Sequence, residues 1–442
     1  MKLLDEYLKY CEPLKGSVLY HKWSMLSTIS ALLERRVYLD QGRVGVLFPN
    51  TYIFLVGPPA TGKGFSIDLA HDFYSSIRGV PMPAKGPTKI TSAALYEHLA
   101  KSLRPVTIPG RKQYFTSPMY LVAGELAQAA EDFGGGTLTN ELIDFYDSKG
   151  VDAEVKKFTL SGGYIVLRNP SLALLAGTQA EFLQTAQQAR IVNSGLASRV
   201  LFVVETGLVE KQYRTVAIDD VLRKSILSQL DAVYRFKGVM NLTLDAREEY
   251  IIQGEKAHAA SIDSLATFYK NYYGRKPMHI LKLAMIIAGS RQSLVVTKED
   301  ITEAVGLIEE IEPLMVHAFG TRSIDRDVDL AMQLINTTPE EPRWITRGVM
   351  LGGLFAGGKF VAEGAIFETT LKSLVTSGII KSKFLCGVEH FTRGKNYLQR
   401  LLASGIIAKR EQALEVSAEA LQQDDKSSGD TTPPSSDPNA GT

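Results

Sequence analysis

One short segment restricts the fold more than any other, the glycine-rich run Gly57-Pro-Pro-Ala-Thr-Gly-Lys-Gly64. The residues before it, Tyr52 to Val56, are apolar and β-rich, and those after it, Phe65 to Ile77, have a helical pattern. A strand, a glycine-rich loop and a helix therefore follow one another. Glycines in such a loop let backbone N–H groups surround a phosphate chain, and the start of the helix adds positive charge. The segment predicts a phosphate-binding loop.

The loop matches the G-x-x-x-x-G-K part of the P-loop pattern of nucleotide-binding proteins, in which the lysine reaches the β- and γ-phosphates. Lys63 is that lysine here. We therefore expect ATP and Mg²⁺ at this site, and an ordinary glycine-rich turn is the alternative. The predicted nucleotide contacts in this segment are Gly57, Pro58, Pro59, Ala60, Thr61, Gly62, Lys63, Gly64 and Phe65.

Position 64 departs from the pattern, which usually has a serine or threonine there as a Mg²⁺ ligand. Gly64 has no hydroxyl group, and the next serine is Ser66. Adenylate kinases also have G-K-G at this point, so nucleotide binding is still expected, with water in place of the missing ligand. Their loop lies close to the N-terminus, however, and we find no matching nucleoside-monophosphate pattern in this chain.

A second element of nucleoside triphosphatases is an apolar strand that ends in an acidic residue. Met119 to Ala123, followed by Gly124 and Glu125, has this form. Glu125 is predicted to act as general base for the attacking water and to contribute to Mg²⁺ binding, while Gly124 stands where an aspartate ligand is common. The alternative is that Glu125 is only a favourable acid at a helix N-terminus.

Further candidates for contact with the γ-phosphate follow or precede apolar runs. Thr178 and Gln179 form a polar end to the run Leu172 to Ala176, although a helix cap by Thr178 is an equal alternative. Arg199 comes directly before the run Val200 to Val204. Because phosphoryl transfer favours a cation on the transition-state charge, Arg199 is a candidate arginine finger for a neighbouring subunit, and a structural arginine is the alternative.

The apolar runs alternate with helical patterns, which predicts a parallel, three-layer α/β sheet. A β-hairpin is expected between Val155 and Leu167. A helix is expected from Lys298 to Glu310, with Thr297 as its cap. The similar segments Thr370 to Ile380 and Tyr397 to Ile407 indicate a module that resembles a winged helix. We expect, in order, a helical N-terminal segment, the loop-containing core, a helical lid, the winged-helix-like module and an acidic, mostly disordered tail. Their predicted bounds are 1–45, 46–220, 221–320, 321–410 and 411–442.

Composition restricts the class of protein. The chain has 442 residues, 45% of them hydrophobic and 22% charged, which is typical of a soluble protein with two or three domains. Cys11 and Cys386 lack the spacing of a disulfide framework or a zinc site. No apolar run has the length of a membrane span, and the N-terminus does not have the pattern of a secretion signal. A cytoplasmic location without membrane contact is therefore predicted.

Taken together, these segments resemble a family of P-loop ATPases of phages and prophages that is usually called primase- or helicase-like. The resemblance extends from about Tyr10 to Glu310 and depends on the order of short segments. These are Glu12-Pro-Leu14, His21 to Thr28, Arg35-Arg-Val37, Phe48-Pro-Asn50, the loop itself, Gly124-Glu-Leu126, Leu142 to Asp147, Asn169-Pro170, Ala176 to Gln179, Ser194 to Arg199 and Arg275 to Lys282.

The resemblance implies an AAA+ or superfamily 3 helicase-like core, a homo-oligomeric ring that is expected to be a hexamer, and a bacterial host cytoplasm. Such motors commonly carry a hairpin that lines the central channel, and a solvated hairpin with ordinary lysines is the alternative. Arg275 becomes a candidate second cation on the nucleotide. The candidate DNA contacts on the hairpin are Lys156, Lys157 and Arg168.

The expected function is that of an ATP-dependent nucleic-acid motor, an ATPase and DNA helicase of phage or prophage replication. Its expected partners are single-stranded or forked DNA and a replication protein. The alternative is an ATP-gated helicase loader or adaptor with little unwinding activity, which Gly64 and Gly124 favour slightly. A small-molecule kinase would need an acceptor motif, and a primase would need a cluster of metal-binding acids, and neither is apparent.

Overall fold

The computed structural model describes residues 1–80, 84–85, 91–125, 137–147, 154–159, 163–183, 195–206, 219–263, 267–315, 318, 345–346, 375, 380–385 and 388–393. The chain divides into two compact units, Met1–Thr321 and Arg322–Thr442. The loop Gly57 to Gly64 lies in the first unit.

The strands are β1 (Val37–Asp40), β2 (Val46–Leu47), β3 (Tyr52–Val56), β4 (Ala84–Lys85), β5 (Arg104–Val106), β6 (Tyr114–Ala123), β7 (Glu154–Thr159), β8 (Gly163–Arg168), β9 (Pro170–Thr178), β10 (Val200–Val204), β11 (Gly238–Leu242), β12 (Val295–Val296), β13 (Ile345–Thr346), β14 (Ile380–Leu385) and β15 (Val388–Arg393). The helices are α1 (Lys2–Cys11), α2 (Val18–Leu33), α3 (Lys63–Ser75), α4 (Ser92–Lys101), α5 (Thr137–Asp147), α6 (Ala180–Leu183), α7 (Asp220–Arg235), α8 (Leu244–Asp263), α9 (Thr267–Ser290) and α10 (Lys298–Ile311).

A six-stranded sheet forms the centre of the first unit. Five strands are parallel, in the spatial order β10-β3-β9-β6-β4, and β5 pairs antiparallel with the beginning of β6. The strand before the loop, β3, therefore lies between β10 and β9, and all of its residues are buried. A strand that is buried on both faces needs an apolar sequence such as Tyr-Ile-Phe-Leu-Val.

Side chains alternate across this sheet, and each face has its own hydrophobic layer. Ile53 and Leu55 of β3 pack with residues of α1, α2, α3, α7, α9 and α10. Tyr52, Phe54 and Val56 point to the other face and pack with residues of α4, α5 and β8. This alternation follows from the two-residue period of a strand. The first unit is thus an α/β fold with helices on both faces of the sheet.

The N-terminal helices and the helices that we predicted as a lid belong to the same core. Trp23 of α2, Ile53 of β3 and Ile286 of α9 are members of one hydrophobic cluster. Helix α10 begins with a capping box of Thr297 and Asp300, so the predicted cap at Thr297 is present. Helices α1, α2, α7, α9 and α10 therefore pack on the sheet that carries the loop.

A second sheet, in the order β12-β11-β1-β2, was not predicted from the sequence. Val37 to Asp40 lies in the segment that we expected to be helical, and β11 and β12 lie in the segment that we expected to be a helical lid. Those helical predictions were wrong at these strands. The reason is that β1 pairs with β11, about 200 residues away in the chain, and short strands of this kind depend on a distant partner.

The predicted hairpin is present as β7 and β8, which pair antiparallel from Glu154 opposite Arg168 to Thr159 opposite Gly163. In the second unit β13, β15 and β14 form an antiparallel sheet. Most of the two similar segments expected in a winged helix, and the acidic tail 411–442, lie outside the described residues. Within the described part of the chain, no helix combines the length and the apolar character needed to cross a membrane.

Two glycines, one in α9 and one in α10, give a matched pair of stability tests. A Cβ atom on Gly289 of α9 would lie 2.8 Å from Cδ1 of Leu33, which is fully buried. We expect Gly289→Ala to lower the free energy of unfolding by about 1 to 3 kcal/mol through overpacking. Gly306 of α10 has no atom within 4 Å of the added Cβ, so Gly306→Ala should raise stability by about 0.5 to 1 kcal/mol through helix propensity.

Chemical denaturation of the full chain measures both effects. Equal stability of the two variants would contradict the close crossing of α2 and α9 at Gly289.

Candidate functional site

Several polar segments lie together at the carboxyl edge of the parallel sheet. The loop follows β3, Glu125 follows β6 after one residue, Gln179 follows β9 and Glu205 follows β10. These strands are parallel neighbours, so the ends of all four meet at one edge. In open α/β sheets, ligands bind at this edge. The sequence predicted the loop, Glu125 and Gln179 as site residues but did not identify Glu205.

The loop itself is a tight bend that closely approaches the N-terminal segment. Ala60 and Gly62 have positive φ values of 67° and 86°. A Cβ atom on Gly62 would lie 2.3 Å from Cα of Gly16, and one on Gly57 would lie 2.3 Å from the hydroxyl oxygen of Tyr20. Neither contact leaves room for a side chain. Packing therefore requires glycine at both positions, and at Gly62 the left-handed backbone conformation favours glycine as well.

Lys63 is the first residue of α3, and its ammonium group lies within the bend. Its Nζ atom donates hydrogen bonds to the carbonyl oxygens of Gly57 at 2.6 Å and Pro58 at 2.8 Å. Thr61 closes the same bend, because its hydroxyl donates to the Pro58 carbonyl at 2.9 Å. The side chain of Lys63 is almost fully buried. The loop thus holds a cation close to its own backbone and to the positive end of a helix.

Glu125 is near enough to Lys63 for their charges to interact. Burial raises the pKa of the Glu125 carboxyl, and the charge of Lys63 opposes that effect only in part. The net result is a pKa above the ordinary range for glutamate, which suits a proton acceptor. The structure therefore brings together the two residues from which the sequence predicted phosphate binding and general-base catalysis.

Thr178 lies directly beside the start of the loop. It pairs with Val56 in the sheet, and its carbonyl accepts a hydrogen bond of 3.2 Å from the N–H of Gly57. Its hydroxyl is fully buried and has no hydrogen-bond partner among the described residues. The capping bond that was the alternative for Thr178 is thus not formed there. Gln179 precedes α6, and its carbonyl accepts from the N–H of Leu183.

The N-terminal segment contributes contacts that the sequence analysis did not anticipate. The Tyr20 hydroxyl donates to the Val56 carbonyl at 2.7 Å, and the Ser17 hydroxyl donates to Glu205 Oε2 at 2.8 Å. His21 meets the ring of Phe65 edge-on, with 6.0 Å between the ring centroids. The positive φ of Gly16, 108°, places its backbone against the loop. In the sequence, the glycine of Lys15-Gly-Ser17 is the one feature of this segment that is typical of a close approach between two backbones.

Position 64 is open. A Cβ atom on Gly64 would meet no atom within 4 Å, and the same holds for Gly124. No steric constraint therefore explains glycine at either position. Among the described residues no group of three or more histidine, cysteine, aspartate or glutamate side chains is placed to hold a metal ion. Glu125 is the predicted metal contact, and Mg²⁺ with a nucleotide is bound largely by phosphate oxygens and water.

Arg199 and Arg275 are not brought to the loop. Arg199 precedes β10, and Val200 pairs with Tyr52 at the beginning of β3, whereas the loop follows the end of β3. With a rise of about 3.3 Å per residue, the two ends of β3 are about 13 Å apart. Arg275 lies with Arg199, because both donate hydrogen bonds to Asp147. Both arginines therefore lie at the opposite edge of the sheet from the loop of their own chain.

The hairpin separates its three predicted DNA contacts onto two faces. Lys156 and Arg168 are exposed, and each forms an ion pair with Glu154, at 3.6 Å and 3.4 Å. Lys157 points inward, where it forms hydrogen bonds with Ser92 and Glu141. The inward direction of Lys157 follows from strand alternation, because its neighbours on either side face the solvent.

The exposed face of the hairpin also carries two aromatic residues that the sequence analysis did not select. Phe158 and Tyr164 are 60% and 79% exposed, and they are paired across the strands. Their ring centroids are 5.3 Å apart. Exposed aromatic rings beside cations are typical of surfaces that bind single-stranded nucleic acids. Strand alternation in a predicted hairpin was the signal that would have identified this pair.

Comparison with known proteins does not assign the chain to a family. No protein-family model matches it, and no curated protein is significantly similar to it.

Proposed function

We propose that this protein binds ATP in the loop Gly57 to Gly64 and hydrolyses it with Glu125 as general base. The observation that carries the proposal is the position of Lys63 inside the bend, with Glu125 close enough for its pKa to depend on the lysine charge. A polyphosphate is the ligand whose charge and shape suit backbone N–H groups, a helix N-terminus and an ammonium group in one bend.

In this proposal, Lys63 exchanges its bonds to the Gly57 and Pro58 carbonyls for bonds to phosphate oxygens. Glu125 accepts a proton from a water molecule while the water oxygen bonds to the γ-phosphorus. The bond from that phosphorus to the bridging oxygen breaks, and ADP leaves with the electron pair. Thr178 pairs with Val56 beside the start of the loop, and we propose that its buried hydroxyl donates to the phosphate or orients the water. When bound, Mg²⁺ neutralises part of the phosphate charge.

We propose further that ATP hydrolysis drives movement on single-stranded or forked DNA, as in a replicative helicase of a phage or prophage. The resemblance described above supports this role. The hairpin supports it as well, since Phe158 and Tyr164 offer stacking surfaces and Lys156 and Arg168 offer phosphate contacts on the same face. A hexameric ring, with Arg199 acting on the nucleotide of a neighbouring copy, and a replication-protein partner belong to the same proposal.

A second candidate is an ATP-gated loader or adaptor that binds DNA and a replication protein but unwinds little. The observation in its favour is the absence of a metal-binding side chain at Gly64 and at Gly124, although both positions have room for one. Strand-displacement assays separate the candidates. ATP-dependent unwinding supports the motor, and ATP-dependent recruitment of a partner to DNA without unwinding supports the adaptor.

The catalytic assignment is tested by paired substitutions in the ATPase assay. Lys63→Ala should lower turnover at least about a hundredfold because it removes the cation from the phosphates. Glu125→Gln should lower turnover by a factor of about 10² to 10⁴ while leaving ATP binding intact, because it removes only the proton acceptor. Since the pKa of Glu125 is raised, we expect wild-type turnover to fall with decreasing pH at a value above the ordinary glutamate range.

Lys298→Ala is the control for the loss of a positive charge, because Lys298 of α10 pairs with Glu249 of α8 and lies outside the proposed site. Its turnover should equal that of the wild type. Turnover that is the same in wild type and Glu125→Gln would refute the role of Glu125.

Gly64 permits a gain-of-function test. Because an added Cβ meets no atom within 4 Å, Gly64→Ser should fold normally and supply the missing hydroxyl ligand. We expect the Mg²⁺ concentration for half-maximal turnover to fall about threefold to tenfold, which is the effect of one additional modest metal interaction. Gly64→Ala is the matched control and should leave this concentration unchanged. An identical Mg²⁺ dependence for serine and alanine would show that position 64 does not face the metal.

The nucleic-acid surface is tested on the hairpin. Phe158→Ala and Tyr164→Ala should each weaken binding to single-stranded DNA by about 1 to 3 kcal/mol, because each removes one stacking ring. Phe115, which is 42% exposed on β6, provides a matched aromatic control. The measurement is fluorescence anisotropy with a labelled oligonucleotide at fixed salt. If Phe115→Ala weakens binding as much as the hairpin substitutions do, the hairpin is not the specific contact.

A further inference from the structure

A cleft lies at the amino-terminal edge of the sheet, away from the loop. It has a volume of about 620 Å³, and Asp147, Arg199, Lys270, Asn271 and Arg275 are among the residues that line it. Arg199 comes from the turn before β10, Asp147 is the last residue of α5, and the others belong to α9. The cleft therefore lies between α9 on one side and the end of α5 and the beginning of β10 on the other.

Asp147 binds both guanidinium groups of the cleft. Its Oδ1 atom accepts from Arg275 Nη1 at 3.0 Å. Its Oδ2 atom accepts from Arg199 Nε at 3.1 Å and from Arg275 Nη2 at 3.3 Å, and Arg199 Nη2 also donates to it. One carboxylate thus lies in the fork of two arginines. Such forks match the planar, oxygen-rich shape of carboxylate and phosphate groups.

The cleft has more positive than negative charge. Two arginines face one aspartate, and the nearby Lys270 is exposed and forms no ion pair within the described residues. His279, from the same helix, is neutral near pH 7 and adds no further positive charge, because burial lowers its pKa to about 4. Asp147 is the only acidic residue among those that line the cleft in the described part of the chain. This excess positive charge favours a further anion.

The two arginines differ in accessibility. The Arg199 side chain is 7% exposed, and it also donates to the Gly195 carbonyl. The Arg275 side chain is 27% exposed, and the Asp147 side chain is 23% exposed. A ligand that enters the cleft therefore meets Arg275 and the Asp147 carboxylate first. Arg199 lies deeper and is held by its bond to the Gly195 carbonyl.

We propose that this cleft is a second oxyanion site, in which a phosphate group takes over hydrogen bonds that Asp147 makes with Arg275 and Arg199. Asp147 occupies the fork when no phosphate is present, so that neither arginine is left without a counter-charge. The phosphate has two conceivable sources, the nucleotide held by a second copy of this chain or a phosphate free in solution. The first source rests on the proposed function, whereas the site itself does not depend on the loop.

The site is tested by calorimetric titration of pyrophosphate into the full chain carrying Lys63→Ala, so that the loop contributes little to binding. Arg275→Ala in this background should weaken binding about tenfold or more, since it removes a charged hydrogen bond. Asp147→Asn should strengthen binding about tenfold, since it removes the competing charge and keeps the size of the side chain. Pyrophosphate binding that neither substitution changes, or no binding at all, would overturn the proposal.

Asp147→Asn keeps the result interpretable if Arg275→Ala fails to fold, because the two substitutions are expected to change affinity in opposite directions. The source is identified by mixing two proteins, one with Lys63→Ala and one with Arg275→Ala, in an ATPase assay. Turnover above that of either parent supports the nucleotide of a second copy. Unchanged turnover, with pyrophosphate binding intact, supports free phosphate. The ATPase activity of the Lys63→Ala protein by itself tests the loop. The pyrophosphate titration tests the cleft, and its result does not depend on that activity.

Discussion

The site depends on the lack of space where the buried strand β3 leaves the sheet. Strand β3 lies between β10 and β9, and helices cover both faces of the sheet. The chain therefore continues beyond the carboxyl end of β3, where it turns within a few residues into α3. Gly57 and Gly62 make this turn possible, because Tyr20 and Gly16 occupy the positions where their side chains would be. The same crowding places the Lys63 ammonium group against loop carbonyls. Packing therefore shapes the bend that we propose as a phosphate site.

The N-terminal segment is part of this arrangement. Ser17 donates to Glu205 and Tyr20 donates to Val56, so the beginning of α2 lies against the strand ends that border the loop. On the other side of the molecule, α9 is tied to the core by buried hydrogen bonds. His279 Nε2 contacts the Ser198 carbonyl at 2.9 Å, and Lys282 donates to the Asn50 carbonyl at 2.9 Å. These two residues of α9 thus have structural roles, and they hold Arg275 near Arg199.

The sequence predicted those parts of the fold that depend on local pattern. The strands at Tyr52–Val56 and Val200–Val204, the β7–β8 hairpin and the cap at Thr297 have strong local signals, and the structure contains all of them. It did not predict β1, β11 and β12, whose pairing joins distant segments. The loop and Glu125 lie near each other, since both follow strands of one parallel sheet. Asp147 between Arg199 and Arg275 could not be foreseen, because only the tertiary fold brings these three residues together.

The central claim is that a polyphosphate binds in the bend between Val56 and Phe65. The most direct measurement is an experimental structure of the full chain with a non-hydrolysable ATP analogue and Mg²⁺. We expect phosphates surrounded by the backbone N–H groups of residues 57–64, with Lys63 Nζ moved from the Gly57 and Pro58 carbonyls onto phosphate oxygens. An empty bend at saturating analogue, with Lys63 still bonded to those carbonyls, would contradict it.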